Sequence, residues 1–125
     1  MGFWLAIFAG GGLGACLRVA LMIAIDARSG SPFPWGLLAV NTLGCFSIGL
    51  VASFADEAGW LAPIPRAFAV AGVLGGFTTF SSFGLDTVQL FSTGNTAMAL
   101  GNVAASVGCA LLGVACGLAL ARSLA

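Results

Sequence analysis

The chain has 125 residues, of which 60% are hydrophobic and only 6% are charged, and its mean hydropathy is +1.12. Soluble domains carry about 25% charged residues, so this composition excludes an ordinary soluble protein and indicates an integral membrane protein with a single domain over residues 1–125. The net charge is zero, and the sequence has no Lys and no His. These absences argue against a nucleic-acid-binding surface, a histidine-based enzyme and a His-containing metal site. We therefore expect no enzyme activity and no nucleic-acid partner.

Long uncharged stretches separate the eight charged residues and predict four membrane-spanning helices. A helix needs about 20 mostly apolar residues to cross the hydrocarbon of a bilayer. The spans are predicted at residues of about 3–25, 35–55, 66–91 and 97–121. The first ends in a polar segment with two prolines, the second at Asp56-Glu57, and the third at the turn-rich segment 92–96. Strands are excluded because open sheet edges are not tolerated in lipid, so we predict an all-α membrane protein.

The arginines give only a weak preference for one orientation in the membrane. With four spans, both termini lie on one side together with Arg66 and Arg122, whereas Arg28 lies on the other side. The positive-inside rule needs a clear excess of basic residues to fix a topology. Two interpretations remain open: a single, weakly determined orientation, or insertion in both orientations with antiparallel pairing of two copies.

Small residues spaced by four are typical of close helix contacts in membranes. The sequence has three such pairs: Gly10 with Gly14, Gly72 with Gly76, and Gly113 with Gly117. They fit packing inside one bundle or between subunits, and a permeation path would form more easily between subunits of this size. Arg18, also in the first span, either extends to the interface or sets a positive potential at an anion vestibule.

The second and third spans contain polar residues at membrane depth, where polar groups are costly and usually functional. Asn41, in the second span, could cap a neighbouring helix or contact an anion. In the third span, Gly75-Gly76 and Thr78-Thr79 lie roughly 15 Å from Arg66 along a helix, or half the membrane thickness. This predicts a break near the midplane, where free backbone groups often coordinate ions. The alternative is a continuous helix whose hydroxyls bond to carbonyls one turn earlier.

Aromatic and hydroxyl side chains follow this segment and favour an anion path over a cation path. Phe80 and Phe83 share a helix face, where they either pack or direct their positive ring edges at a small anion. Ser81 and Ser82 add hydroxyl donors. Asp86 could serve a proton-coupled transporter or lie at the interface.

The fourth span carries polar residues on one helix face. Asn102 and Ser106 are spaced by four residues and share that face. Four cysteines lie in the spans without a CxxC pair, so we interpret them as small packing residues and not as metal or redox ligands.

Three segments together resemble the CrcB/Fluc family of fluoride channels. They are Gly11-Gly-Leu-Gly-Ala-Cys-Leu-Arg18, Val40-Asn-Thr-Leu-Gly-Cys-Phe46 and Gly75-Gly-Phe-Thr-Thr-Phe-Ser-Ser-Phe83. The resemblance covers all four spans, and the third segment is the most specific.

The resemblance implies an antiparallel dual-topology homodimer with two fluoride pores at the subunit interface. It also implies a structural Na⁺ at the dimer centre, held by backbone carbonyls that correspond to Gly75 and Thr78. The implied pore residues are Asn41, Phe80, Phe83, Ser81 and, more loosely, Ser106, with Asp86 on the same hydroxyl-rich track. The chain departs from the family at Asp86, where Glu is common, and at Leu37, where Thr often occurs.

We therefore expect a passive channel that is selective for fluoride and lets it leave the cytoplasm across the inner membrane of a bacterial cell. One alternative is a small proton-coupled four-helix exporter, which would need Asp86 deep in its substrate site. Another is a membrane subunit that assembles with other proteins without transporting anything itself.

Overall fold

The computed structural model describes the backbone of residues 1–58 and 62–124, and the side chains of these residues except 54–58. All regular elements in this part of the chain are helical. Four helical stretches are long and apolar enough to cross a membrane: Gly2–Ser29, Trp35–Ser53, Pro63–Ser92 and Thr96–Leu124. The prediction of an all-α architecture with four stretches able to cross a membrane is confirmed for the described residues. The side chains of Asp56 and Glu57, at the predicted end of the second span, lie outside the description.

The first two helices, α1 (Gly2–Ser29) and α2 (Trp35–Ala58), are joined by a short loop whose geometry its residues dictate. Gly30 ends α1 in the left-handed conformation, with φ 57° and ψ 12°, which glycine adopts without steric cost. Asp26 Oδ1 accepts a hydrogen bond of 2.8 Å from the Gly36 backbone N–H. Since the first N–H groups of a helix have no partner within it, Asp26 ties the end of α1 to the start of α2.

The third span is composed of four elements. It begins with α3 (Pro63–Arg66), continues as a π-helical segment (Ala67–Leu74) and ends its first half with α4 (Gly75–Phe77). Its second half is α5 (Phe80–Ser92). Between the halves the backbone is extended, with φ −91° and ψ 153° at Thr78 and φ −151° and ψ 127° at Thr79. The sequence patterns did not predict the π-helical segment, a form that is rare and often occurs at functional sites.

Helix α6 (Thr96–Leu124) completes the bundle and makes its most extensive contact with α2. Helix α1 packs mainly against the π-helical segment and α4, whereas α5 packs against α6. The third span therefore divides its contacts, with its first half on α1 and its second half on α6. The extended residues lie where these two packing arrangements meet.

Glycines allow the closest of these helix contacts. A Cβ atom placed on Gly72 would lie 2.9 Å from the Gly10 Cα, and one placed on Gly113 would lie 3.1 Å from the Thr42 carbonyl oxygen. A Cβ on Gly117 would be 2.8 Å from the Leu50 backbone nitrogen. The glycine pairs thus make contacts within one chain, as the intrachain interpretation of their spacing predicts.

The buried core is small and consists mostly of modest side chains. Its hydrophobic members are Leu37, Val40, Ala67, Leu90, Ala99 and Ala121, and the polar Ser53, Thr87 and Asn102 are also buried. Large apolar side chains such as Phe8 and Leu111 are exposed. Exposed apolar surface of this extent is suited to contact with lipid or with another membrane-embedded chain.

Candidate functional site

The extended residues Thr78 and Thr79 are held by a side chain from the second helix. Asn41 Nδ2 donates to the Thr79 carbonyl over 3.1 Å, and Asn41 Oδ1 accepts from the Thr79 N–H over 2.9 Å. The two bonds satisfy both backbone groups of Thr79 and keep one Asn41 N–H free for another partner, because an amide nitrogen carries two hydrogens. Asn41 therefore fixes the backbone at the interruption and still has a donor to offer.

Side-chain acceptors also take the donors that a continuous helix would use here. In a regular helix the Gly75 carbonyl would accept from the Thr79 N–H, and the Thr78 carbonyl from the Ser82 N–H. Instead, the Thr79 N–H bonds to Asn41 and the Ser82 N–H donates to Thr79 Oγ1 over 3.4 Å, as a helix N-cap. The carbonyls of Gly75 and Thr78 are thereby separated from their helical donors.

A groove of about 350 Å³ lies beside the interruption, between α2, α5 and α6. Its lining consists of uncharged residues from these helices and from the interruption: Asn41, Cys45, Thr78, Thr79, Phe80, Phe83, Ser106, Val107, Ala110 and Leu111. Four predicted pore residues, Asn41, Phe80, Phe83 and Ser106, are brought together here, and Thr78, predicted as a Na⁺ ligand, lines the same groove. The groove offers amide and hydroxyl donors and aromatic rings without a carboxylate, a combination suited to a small anion and poorly suited to a cation.

Phe80 and Phe83 form an aromatic pair in the lining of the groove. Their ring centroids are 5.2 Å apart and the ring planes are inclined at 43°. Phe80 is 80% exposed, so one protomer leaves most of this ring uncovered. A surface that completes the groove would have to come from lipid or from another chain.

A hydrogen-bond network links the α6 side of the groove to α5. Ser106 Oγ is 3.3 Å from Asn102 Oδ1, Asn102 Nδ2 is 2.9 Å from Thr87 Oγ1, and Thr87 Oγ1 donates to the Phe83 carbonyl over 2.7 Å. Asn102 is completely buried. The sequence patterns did not predict that Thr87 belongs to the site region, and the spacing of Asn102 and Ser106 was the one signal for Asn102.

Two other predicted site residues lie near the interruption without lining the groove. Ser81 is exposed, with its Oγ 3.1 Å from Thr79 Oγ1. Gly75 is exposed as well, and only its backbone carbonyl is available as a ligand.

Arg18 and Leu37 also lie outside the groove lining. Arg18 is half-buried in α1, and its buried Nε has no hydrogen-bond partner within the described part of the chain. Leu37 is 1% exposed and packs in the core, which explains why an apolar residue is accepted at this position.

Asp86 lies in a second cavity of about 380 Å³, at the loop between α1 and α2. Asp26, Gln89 and Thr93 line the same cavity. Asp26, which accepts from the Gly36 N–H, is a carboxylate neighbour of Asp86 in this cavity, and the cavity shares no lining residue with the groove. Asp86 therefore lines a different cavity from the one lined by Asn41, Phe80, Phe83 and Ser106.

The cysteines occupy positions consistent with packing. Cys45 lines the groove and Cys109 is half-buried, whereas Cys16 and Cys116 are exposed, and all four are free thiols. Among the side chains that the structure describes, those of residues 1–53 and 62–124, His, Cys, Asp and Glu form no group of three or more that could hold a metal ion.

Comparison with known proteins now identifies the family. The family described as "CrcB-like protein, Camphor Resistance (CrcB)" matches residues 5–118. The fluoride-specific ion channel FluC of Rhizobium meliloti is 44% identical over 120 residues, 96% of this chain and 96% of the relative. The fluoride-specific ion channel FluC 2 of Bradyrhizobium diazoefficiens is 44% identical over 122 residues, 96% and 89% of the two chains. A FluC of Clostridium perfringens is 36% identical over 115 residues, 92% and 90% of the two chains. The chain belongs to the CrcB family of multi-pass membrane proteins.

Proposed function

We propose that this protein is a fluoride-selective ion channel through which fluoride leaves the cytoplasm passively. The observation that carries the proposal is the uncharged groove in which Asn41, Phe80, Phe83 and Ser106 meet beside the interrupted third span. The full-length relatives named as fluoride-specific ion channels support the same ion. Hydrogen fluoride crosses membranes as a neutral acid and dissociates at cytoplasmic pH, so a passive anion leak is enough to lower cellular fluoride.

Selectivity follows from the groups that would replace the water around a small anion. The free Asn41 N–H and the Ser106 hydroxyl are hydrogen donors within the groove, and the phenylalanine edges carry partial positive charge. None of these groups is ionised, so each attracts the anion without holding it tightly. Conduction requires this balance, because an ion must leave a site as readily as it enters. Ser81, beside the groove, would extend the hydroxyl track along α5.

The working unit that we propose is an antiparallel homodimer with dual topology. Support comes from the 80% exposure of Phe80, since one protomer alone covers only one side of the groove. The near balance of arginines between the two membrane sides also fits insertion in both orientations. In such a dimer each copy would cover the other's phenylalanines, giving two pores related by the dimer axis.

A structural Na⁺ at the centre of this dimer is part of the proposal. The interruption fits it chemically, because the carbonyls of Gly75 and Thr78 are separated from their helical N–H donors. Carbonyls of unwound membrane helices coordinate Na⁺ in other membrane proteins. Two carbonyls from each copy would supply oxygen ligands, and the ion would neutralise the carbonyl dipoles that the interruption leaves unpaired.

We place the channel in the inner membrane of a bacterial cell, with Arg18 as a positive group at a vestibule or as a structural residue. The half-buried position and unpartnered Nε of Arg18 support the first role. The proton-coupled exporter is the weaker alternative, because Asp86 lies in a cavity separate from the groove. A subunit that transports nothing would have little use for amide and hydroxyl donors gathered in one groove.

Liposomes test the proposed function directly. The protein is reconstituted in vesicles loaded with fluoride and chloride, and the loss of each anion is followed with ion-selective electrodes. We expect rapid fluoride efflux and no chloride efflux above that of empty vesicles; equal rates would contradict the proposal. Replacing Na⁺ by N-methylglucamine throughout purification and assay is expected to lower fluoride efflux, and unchanged efflux would remove Na⁺ from the proposal.

A further inference from the structure

The Ser106 hydroxyl, which lines the groove, begins a chain of hydrogen bonds through two buried side chains that do not line the groove. We call this chain, from Ser106 through Asn102 and Thr87 to the Phe83 carbonyl, the relay. Ser106 bonds to Asn102, Asn102 to Thr87, and Thr87 to the Phe83 carbonyl, over 3.3, 2.9 and 2.7 Å. Asn102 is 0% exposed and Thr87 is 8% exposed. Water therefore has little access to Asn102 or Thr87, and each depends on its protein partners for hydrogen bonds.

The chemistry of the partners fixes the direction of every bond in this relay. The Phe83 carbonyl can only accept, so the single hydrogen of Thr87 is donated to it. Thr87 Oγ1 must then accept from Asn102, which requires the amide nitrogen of Asn102 to face Thr87. The amide oxygen consequently faces Ser106, and because that oxygen also only accepts, the single hydrogen of Ser106 points to Asn102.

This direction has a consequence for any anion in the groove. While Ser106 donates to Asn102, its oxygen lone pairs and not its hydrogen are left for the groove. An anion needs the hydrogen, so it gains a bond from Ser106 only when the hydroxyl rotates away from Asn102. The anion and the Asn102 oxygen thus compete for one hydrogen.

We propose that Asn102 is a positioning residue that weakens anion binding in the groove by competing for the Ser106 hydroxyl. This inference rests on the proposed function, in which fluoride passes Ser106. Thr87 acts one step further away, because its acceptance of the Asn102 N–H is what turns the amide oxygen toward Ser106. The relay keeps the anion site weak enough for rapid release, as conduction requires.

The test is the dependence of fluoride efflux on fluoride concentration in liposomes. Asn102→Leu removes the competing acceptor at similar volume. A typical buried hydrogen bond corresponds to a factor of about three to ten, so we expect the half-saturating fluoride concentration to fall by about that factor. In a Ser106→Ala background the same substitution is expected to leave the half-saturating concentration unchanged, since the hydroxyl through which Asn102 acts is missing.

Thr87 provides a matched pair of variants that leaves Asn102 in place. Thr87→Val removes the acceptor, so the amide can turn its nitrogen to Ser106 and release the serine hydrogen; we expect the same fall as for Asn102→Leu. Thr87→Ser keeps the hydroxyl and is expected to behave as the unaltered protein. If Asn102→Leu does not give monodisperse protein, this pair of Thr87 variants still tests whether the relay weakens fluoride binding.

The outcomes separate this inference from the proposed function. If Ser106→Ala alone changes fluoride efflux but Asn102→Leu and Thr87→Val do not shift half-saturation, the relay has no such role and the channel proposal stands. An equal shift with and without Ser106 also overturns the relay. If Ser106→Ala has no effect on efflux, fluoride does not use Ser106, and both the placement of Ser106 in the pore and the relay are wrong.

Discussion

The two halves of the third span are held in the bundle by different interactions. Before Thr78, glycine backbones of the π-helical segment and α4 lie directly against α1. After Thr79, α5 packs against α6 and is tied to it by a buried side-chain hydrogen bond from Asn102 to Thr87. A Cβ on Gly72 or Gly76 of the first half would collide with the α1 backbone, whereas the second half contributes Phe80 and Phe83 to the groove. One span thus combines a half that packs tightly on α1 with a half whose aromatic side chains line the groove.

The largest effect is expected where the first half meets α1. A Cβ placed on Gly14 would contact the Val73 carbonyl oxygen and would lie 2.8 Å from the Phe77 nitrogen, both backbone atoms that cannot move independently. Overpacking of this kind costs about 3 kcal/mol, a large share of the stability of a small protein. We expect Gly14→Ala to abolish the yield of monodisperse protein in detergent, measured by size-exclusion chromatography.

The same helix offers the matched control. A Cβ on Gly12 meets no atom within 4 Å, so Gly12→Ala is expected to give a normal yield. If both variants behave alike, close backbone contact with α1 is not what holds the first half in place.

The next largest effect is expected at the junction between the halves. Asn41→Leu removes both hydrogen bonds to Thr79, so the Thr79 N–H and carbonyl lose their side-chain partner. Each hydrogen bond contributes about 1 kcal/mol, so the loss of free energy is about 2 kcal/mol. If this loss destabilises the conducting conformation by the same amount, fluoride efflux falls roughly thirtyfold. Efflux from liposomes containing equal amounts of dimer measures this.

Asn95 is the control for loss of an asparagine as such. Its Nδ2 donates to Thr93 Oγ1 over 3.1 Å in the exposed turn before α6. Asn95→Leu should leave fluoride efflux within about twofold, because removing one exposed hydrogen bond costs little. Equal losses in the two variants would argue that Asn41 has no special role at the interruption.

Phe80 is the exposed member of the aromatic pair in the second half, and its replacement should have an intermediate effect. Phe80→Ile keeps an apolar side chain but removes the positive ring edge. An aromatic edge contact contributes about 1 kcal/mol, so fluoride efflux should fall roughly five- to tenfold while chromatography still shows an intact dimer. Unchanged efflux would remove Phe80 from the pore, and loss of the dimer would make Phe80 a packing residue.

The sequence predicts the architecture well because few physical variables decide it. The length and hydropathy of the uncharged stretches between charged residues are sufficient to locate four helices able to cross a membrane. This is because a backbone in lipid must satisfy its own hydrogen bonds, which leaves few alternatives to a helix. The polar and aromatic residues of the second and third spans likewise indicate a shared site, and Asn41, Phe80, Phe83 and Ser106 do line one groove.

Features that depend on the packing of distant segments were not predictable in this way. The π-helical segment depends on how the third span fits against α1, which no local pattern encodes. The proximity of Asp26 and Asp86 depends on a loop that brings residues 60 positions apart into one cavity. The direction of the Ser106 relay needs the positions of Thr87 and the Phe83 carbonyl, of which the sequence shows only the spacing between Asn102 and Ser106.

The smallest effect is expected at Asp86, which lies in α5 but lines the second cavity instead of the groove. Its cavity is lined by Asp26 and the α1–α2 loop and shares none of its lining residues with the groove. Asp86→Asn preserves size, and because its side chain lines a different cavity from the groove, fluoride efflux should stay within about twofold, as for substitutions away from a functional contact. Efflux is measured with and without a pH gradient across the vesicle membrane. A channel responds to the fluoride gradient in both conditions, whereas a proton-coupled exporter would lose transport with this carboxylate and would require the pH gradient before the substitution. If the unaltered protein required the pH gradient and Asp86→Asn abolished transport, the functional site would be the Asp86 cavity and not the groove.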